Sequence, residues 1–154
     1  MLSIRLLAAI CAATAAFALA ACDGDREEKN DYVGELNEIT PALTSELEQI
    51  STGLTAVAAP DKVSRALSSF AAEMRSIAGE IAAITPPGEV ADLQAELLEH
   101  VRTLGDEATD AADEIRAGGA ASVIGAGQQF VSEAARVAGE IDATITEINS
   151  ELQG

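Results

Sequence analysis

Three groups of residues have types and spacings that could do chemistry. The first is cysteine, present as Cys11 and Cys22. Cys11 lies inside an apolar N-terminal run and is expected to leave with it, and a single remaining cysteine cannot close an intrachain disulfide. The second is His100, the only histidine, with Glu96 four residues earlier on the same face of a helix. A Glu–His pair can form one edge of a metal site. Zinc, however, requires three or four ligands, and a di-iron helical bundle requires two Glu-x-x-His motifs. One histidine falls short of both, so His100 reads as a boundary residue paired with Glu96. The third group is the acidic cluster of Asp106, Glu107, Asp110, Asp113 and Glu114. Neighbouring carboxylates do acid–base work only where burial separates their pKa values, and these are flanked by small and polar residues. Their spacing is not that of an EF-hand loop, so they read as a solvated face. Carboxylates near a helix C-terminus oppose the helix dipole, and that end is expected to fray. The chain has no Cys-x-x-Cys-His, no Gly-x-Ser-x-Gly elbow, no P-loop and no Ser/His/Asp set. The expectation is a non-enzymatic protein without cofactor or metal site.

Cys22 stands at an abrupt boundary. Arg5 provides a minimal positive start, and residues 6–21 form an uncharged core ending in small residues, which is the anatomy of a secretory signal. The core is slightly short for a spanning helix, which needs about 20 predominantly apolar residues. The residues Leu19-Ala20-Ala21-Cys22 resemble the bacterial lipobox. That resemblance implies cleavage between Ala21 and Cys22, diacylglycerol on the Cys22 thiol, and a mature protein fastened by lipid to the extracytoplasmic face of a cell membrane, periplasmic or at the cell surface. Two alternatives compete: cleavage by ordinary signal peptidase after Ala18-Leu19-Ala20, and an uncleaved anchor helix.

The elements that would carry these residues begin beyond the cysteine. Residues 23–31 contain no apolar side chain, so 22–31 is expected to be an unstructured acidic tether. With Arg5 set aside, the chain retains 8 Lys+Arg of its 9 against all 26 Asp+Glu, a formal charge of −18. That charge disfavours nucleic acid and anionic lipid headgroups as direct partners.

From Tyr32 onward the apolar residues recur at steps of three and four, and nothing alternates at period two. Breaks at Ala59-Pro60-Asp61-Lys62, Thr85-Pro86-Pro87-Gly88-Glu89 and Ala117-Gly118-Gly119-Ala120 divide the pattern. The expected helices cover about 32–58, 61–84, 88–117 and 121–152, with a kink or a late start at Pro41. Short connections make sequential helices antiparallel neighbours. The expected fold is all-α: an antiparallel four-helix bundle over 32–154, made of two αα-hairpins. An offset of 60 residues aligns Val63, Phe70, Glu73 and Ala78-Gly79-Glu80-Ile81 with identical residues from Val123 to Ile141, as duplication of a hairpin would produce.

The step from Pro86-Pro87 to Val90 and Leu93 is similar to one found in small helical bacterial lipoproteins, and the last helix has the Ala/Glu texture of coiled coils. These similarities imply no activity. The reading is a lipid-anchored helical bundle that binds or positions another cell-envelope component, such as an envelope protein. The alternative is a lipoprotein that binds a small ligand or a divalent cation.

Overall fold

The computed structural model describes residues 24–55 and 59–153. Within them the chain forms four helices: α1 (Gly24–Thr55), α2 (Pro60–Ala83), α3 (Ala91–Gly118) and α4 (Ala120–Gln153), with a single 3-10 turn at Gly88–Val90 before α3. They pack as an antiparallel four-helix bundle of two αα-hairpins. The interfaces of α3 with α2 and with α4 are the most extensive, and α1 lies mainly against α2.

Among the described residues, the apolar positions that recur at steps of three and four are mostly buried, with Ile39, Leu93, Val123, Ile145 and Leu152 half-buried against them. Leu67, Met74, Leu97, Leu104, Ile115, Val137 and Ile148 are essentially inaccessible, which is what steps of three and four produce when the stripe faces a neighbour. The two residues related by the 60-residue offset, Phe70 and Phe130, meet each other. Their rings lie edge to face with centroids 5.7 Å apart and planes at 79°, a favourable geometry for aromatic quadrupoles. The repeat thus places equivalent side chains at the junction of the two hairpins.

Glycine allows a close approach between α2 and α3. Gly105 is buried, and a Cβ built there would lie 3.2 Å from the Met74 Cβ and 3.5 Å from the Ala71 carbonyl oxygen. At the turn into α4, Gly119 has φ 61° and ψ −142°, a combination glycine adopts without steric cost. Its N–H donates to the Ile115 carbonyl at 2.8 Å. The acidic end of α3 is therefore helical to Gly118 rather than frayed, with Arg116 paired to Asp113 in the last turn as the dipole favours.

The main correction concerns the start of the bundle. Residues 24–31, expected as part of a tether, are the opening turns of α1, whose start precedes the expected position at 32. Two contacts explain it. Lys29 forms an ion pair with Glu89 beyond the far end of α2, and Tyr32 buries its ring, 2% exposed. Glu27 adds to this, because a carboxylate in a first turn favours the helix. Residues 22 and 23 lie outside the described residues, as do 56–58, which the expected first helix had included. Pro41 sits inside α1 without ending it. Thr40 and Thr44 donate their hydroxyls to the Leu36 and Thr40 carbonyls, at 2.9 Å and 3.1 Å, on either side of it.

Candidate functional site

The proposed lipid attachment residue Cys22 and the cleavage residue Ala21 lie outside the described residues. What the structure adds is their setting, since α1 is helical from Gly24, two positions after the cysteine. No described helix is long and apolar enough to cross a membrane.

His100 lies on α3 where it faces α4, and its side chain is 18% exposed. Its Nε2 stands 3.5 Å from Glu96 Oε1 and its Nδ1 3.6 Å from Glu140 Oε2. Glu96 was legible from its i,i+4 spacing. Glu140 belongs to α4, the other helix of the same hairpin, forty residues on, and no local pattern reveals it. Glu140 is itself held by Arg136, whose Nη1 donates to it at 2.6 Å while Nε donates to Glu133 at 2.8 Å. These hydrogen bonds, to Glu133 first, push the guanidinium pKa further above its ordinary value. The arrangement lines one seam with His100, three carboxylates and the Arg136 guanidinium. Among the described residues no group of three or more His, Cys, Asp or Glu side chains converges to hold a metal ion.

The acidic residues of α3 do not gather into a site. Asp106, Asp110, Asp113 and Glu114 are exposed and Glu107 is half-buried. Thr109, between them, accepts a hydrogen bond from Arg75 of α2 at 2.8 Å, so this face ties α3 to α2. A second acidic feature was not visible in the sequence. Glu27, Glu28, Asp31 and Glu35 of α1 line an open groove of about 420 Å³ against Ala83 and Thr85 at the end of α2. Tyr32 forms part of its wall. The phenol oxygen is buried and without a hydrogen-bond partner, and burial pushes its pKa up to about 12. It is therefore neutral at physiological pH, and the groove's field comes from its four carboxylates, which attract cations.

A buried polar residue was missed entirely. Gln94 in the first turn of α3 is 5% exposed. Its Nε2 donates to the carbonyls of Ile81 and Ile84, each at 3.0 Å. The last carbonyls of a helix lack intrahelical donors, and here a side chain from the next helix supplies them. Gln94 therefore fixes the turn between α2 and α3 rather than serving a ligand.

No protein family, no curated protein and no solved structure matches this chain.

Proposed function

We propose that this protein is a bacterial lipoprotein, fastened to a membrane through lipid on Cys22, whose helical bundle binds or positions another component of the cell envelope without catalysis. The observation that carries the reading is the run of uncharged residues ending in Leu19-Ala20-Ala21-Cys22 and passing at once into charged sequence. The early start of α1 fits this reading, because the helix begins two residues beyond Cys22 and leaves little chain between a lipid there and the bundle. Anchoring of this kind needs more than one acyl chain, each buried methylene contributing about 0.8 kcal/mol. A lipidated N-terminal cysteine would supply them.

A second reading, capture of a cationic small molecule or a divalent cation, draws support from the acidic groove beside Tyr32. One pair of experiments separates the two. Affinity capture from solubilised envelope is expected to recover a specific envelope protein. A thermal-shift screen with calcium, zinc and iron is expected to leave the unfolding temperature unchanged. Saturable stabilisation by one cation, with no protein recovered, favours the second reading instead.

A further inference from the structure

The solvent face of α4 carries a stripe that the bundle does not use. Ile124 is 70% exposed and Val131 is 41% exposed, and they are the exposed large hydrophobic residues among the described ones. They belong to the series Ala121, Ile124, Gln128, Val131, Ala135, all exposed, at steps of three, four, three and four. That is heptad spacing, and it lies on the opposite side of α4 from the core residues Ala126, Phe130, Ala134 and Val137. The helix thus has two apolar seams, one filled by its own chain and one open to solvent.

We propose that the open seam pairs with the same seam of a second copy, the two α4 helices running parallel and in register. Three observations select that occupant. Heptad spacing is self-complementary in a parallel pair, since each residue of the stripe meets its own counterpart: Ile124 on Ile124, Val131 on Val131. Gln128 then meets Gln128, and a single polar residue in such a seam fixes register. Electrostatics points the same way. The chain beyond the first 22 residues is strongly anionic, yet Arg116 to Glu133 encloses its longest charge-free stretch. Two copies can meet there without the repulsion they feel elsewhere. Ala138, one step beyond the stripe, is buried and sets its limit.

Glycine supplies the third observation. Gly125 and Ser132 lie seven residues apart along one edge of the stripe, with Gly139 seven residues on and just past its end, and all three are exposed. A Cβ at Gly125 or Gly139 would meet nothing within 4 Å, and neither has a positive φ. Internal packing therefore does not explain two glycines that each cost a helix about 1 kcal/mol against alanine. A second helix lying close against this edge does explain them. Gly34, Gly79 and the half-buried Gly127 are equally open, but among the described residues no exposed large apolar residue lies on α1 or α2. The seam from Ala121 to Ala135 is about 21 Å long at 1.5 Å per residue and offers Ile124 and Val131 as its large apolar side chains, a small patch beside the ~1,200–2,000 Å² that stable interfaces bury. The contact is therefore weak and reversible, and tethering both copies to one surface strengthens it. The pairing itself requires no lipid.

Disulfide trapping in the full chain tests the proposal. Cysteine is introduced singly as Ala121→Cys, Gln128→Cys or Ala135→Cys, with the unaltered chain and Ser76→Cys on α2 as references for background linking. Mild oxidation is expected to give a dimer for each of the three, at least ten-fold above both references. Adding Ile124→Glu to Gln128→Cys is expected to abolish it. All these positions are exposed, and circular dichroism confirms that each variant keeps its helix content. Linking of Gln128→Cys alone would mean an antiparallel pair and overturn the parallel register. Linking at background level, or to a different protein, would overturn pairing with a second copy. Sedimentation of the unaltered chain gives an independent check: a monomer–dimer equilibrium is expected, and a strict monomer at high concentration contradicts it.

Discussion

Replacing Gln94 by leucine tests whether one buried amide holds the first hairpin to the second. In the native chain its Nε2 serves two carbonyls at 3.0 Å. Ile81 keeps a second donor, the Ile84 N–H at 3.2 Å, whereas Ile84, itself buried, loses the donor that Gln94 gave it. Two net hydrogen bonds at about 1 kcal/mol each, with a desolvation penalty of about 1–3 kcal/mol for the orphaned carbonyl, set the loss. Part is returned, because the Gln94 Oε1 is buried without a partner and leucine removes it. The expected net destabilisation is about 2 kcal/mol, or a melting temperature lower by ~6–10 °C for a domain of this size. Gln94→Glu sharpens the test through its sign. A carboxylate facing two carbonyls and burial is disfavoured, so its folded-state pKa is raised above the unfolded value. The variant is then worst at neutral pH and recovers as pH falls through that raised value. Thermal and urea unfolding followed by circular dichroism report both variants. If Gln94→Leu lies within ~0.5 kcal/mol of the parent and Gln94→Glu shows no recovery in acid, the amide does not cap α2 and the reasoning is wrong.

Other perturbations probe the remaining contacts. Gly105→Leu should destabilise by about 3 kcal/mol through overpacking against Met74, while Gly34→Ala, with open space around it, should stabilise by up to about 1 kcal/mol; urea unfolding compares them. Tyr32 is the only tyrosine and there is no tryptophan, so ultraviolet titration reads its phenol directly. Ionisation near pH 12 is expected, and because the folded value is raised, stability should fall as pH rises from about 10 towards 12, a loss that Tyr32→Phe removes. His100→Ala should cost about 1 kcal/mol or less, because its ring nitrogens stand 3.5 Å and 3.6 Å from Glu96 and Glu140, too far for strong hydrogen bonds, and should leave metal content unchanged; stoichiometric zinc or iron lost in this variant would overturn the structural reading of His100.

The sequence revealed the fold to the extent that the fold depends on periodicity. The four stripes and the breaks at Pro60, Pro86-Pro87 and Gly118-Gly119 place every helix, because burial on one face and the loss of backbone donors are local properties. The start of α1 was hidden because residues 24–31 lack apolar side chains. Their helix depends on Lys29 reaching Glu89 and on Tyr32 being buried, contacts to residues far along the chain. Gln94 was hidden for the same reason: as a glutamine in a first helical turn it looks like any solvated residue until its carbonyl acceptors on α2 are in place. Of the His100 seam, the sequence shows Glu96, a neighbour by helical geometry, and conceals Glu140 and Arg136, which tertiary packing brings in. The exposed series from Ala121 to Ala135 was masked by the stronger core stripe on the same helix, and only burial separates the two.

Intact-mass analysis of the native protein, isolated from the membranes of its producing cell, tests the central claim most directly. The account predicts an acylated chain that begins at Cys22, and its disappearance from the membrane fraction in Cys22→Ser. A chain that begins at another residue or carries no lipid, or a Cys22→Ser variant that is processed and membrane-bound as before, would contradict it.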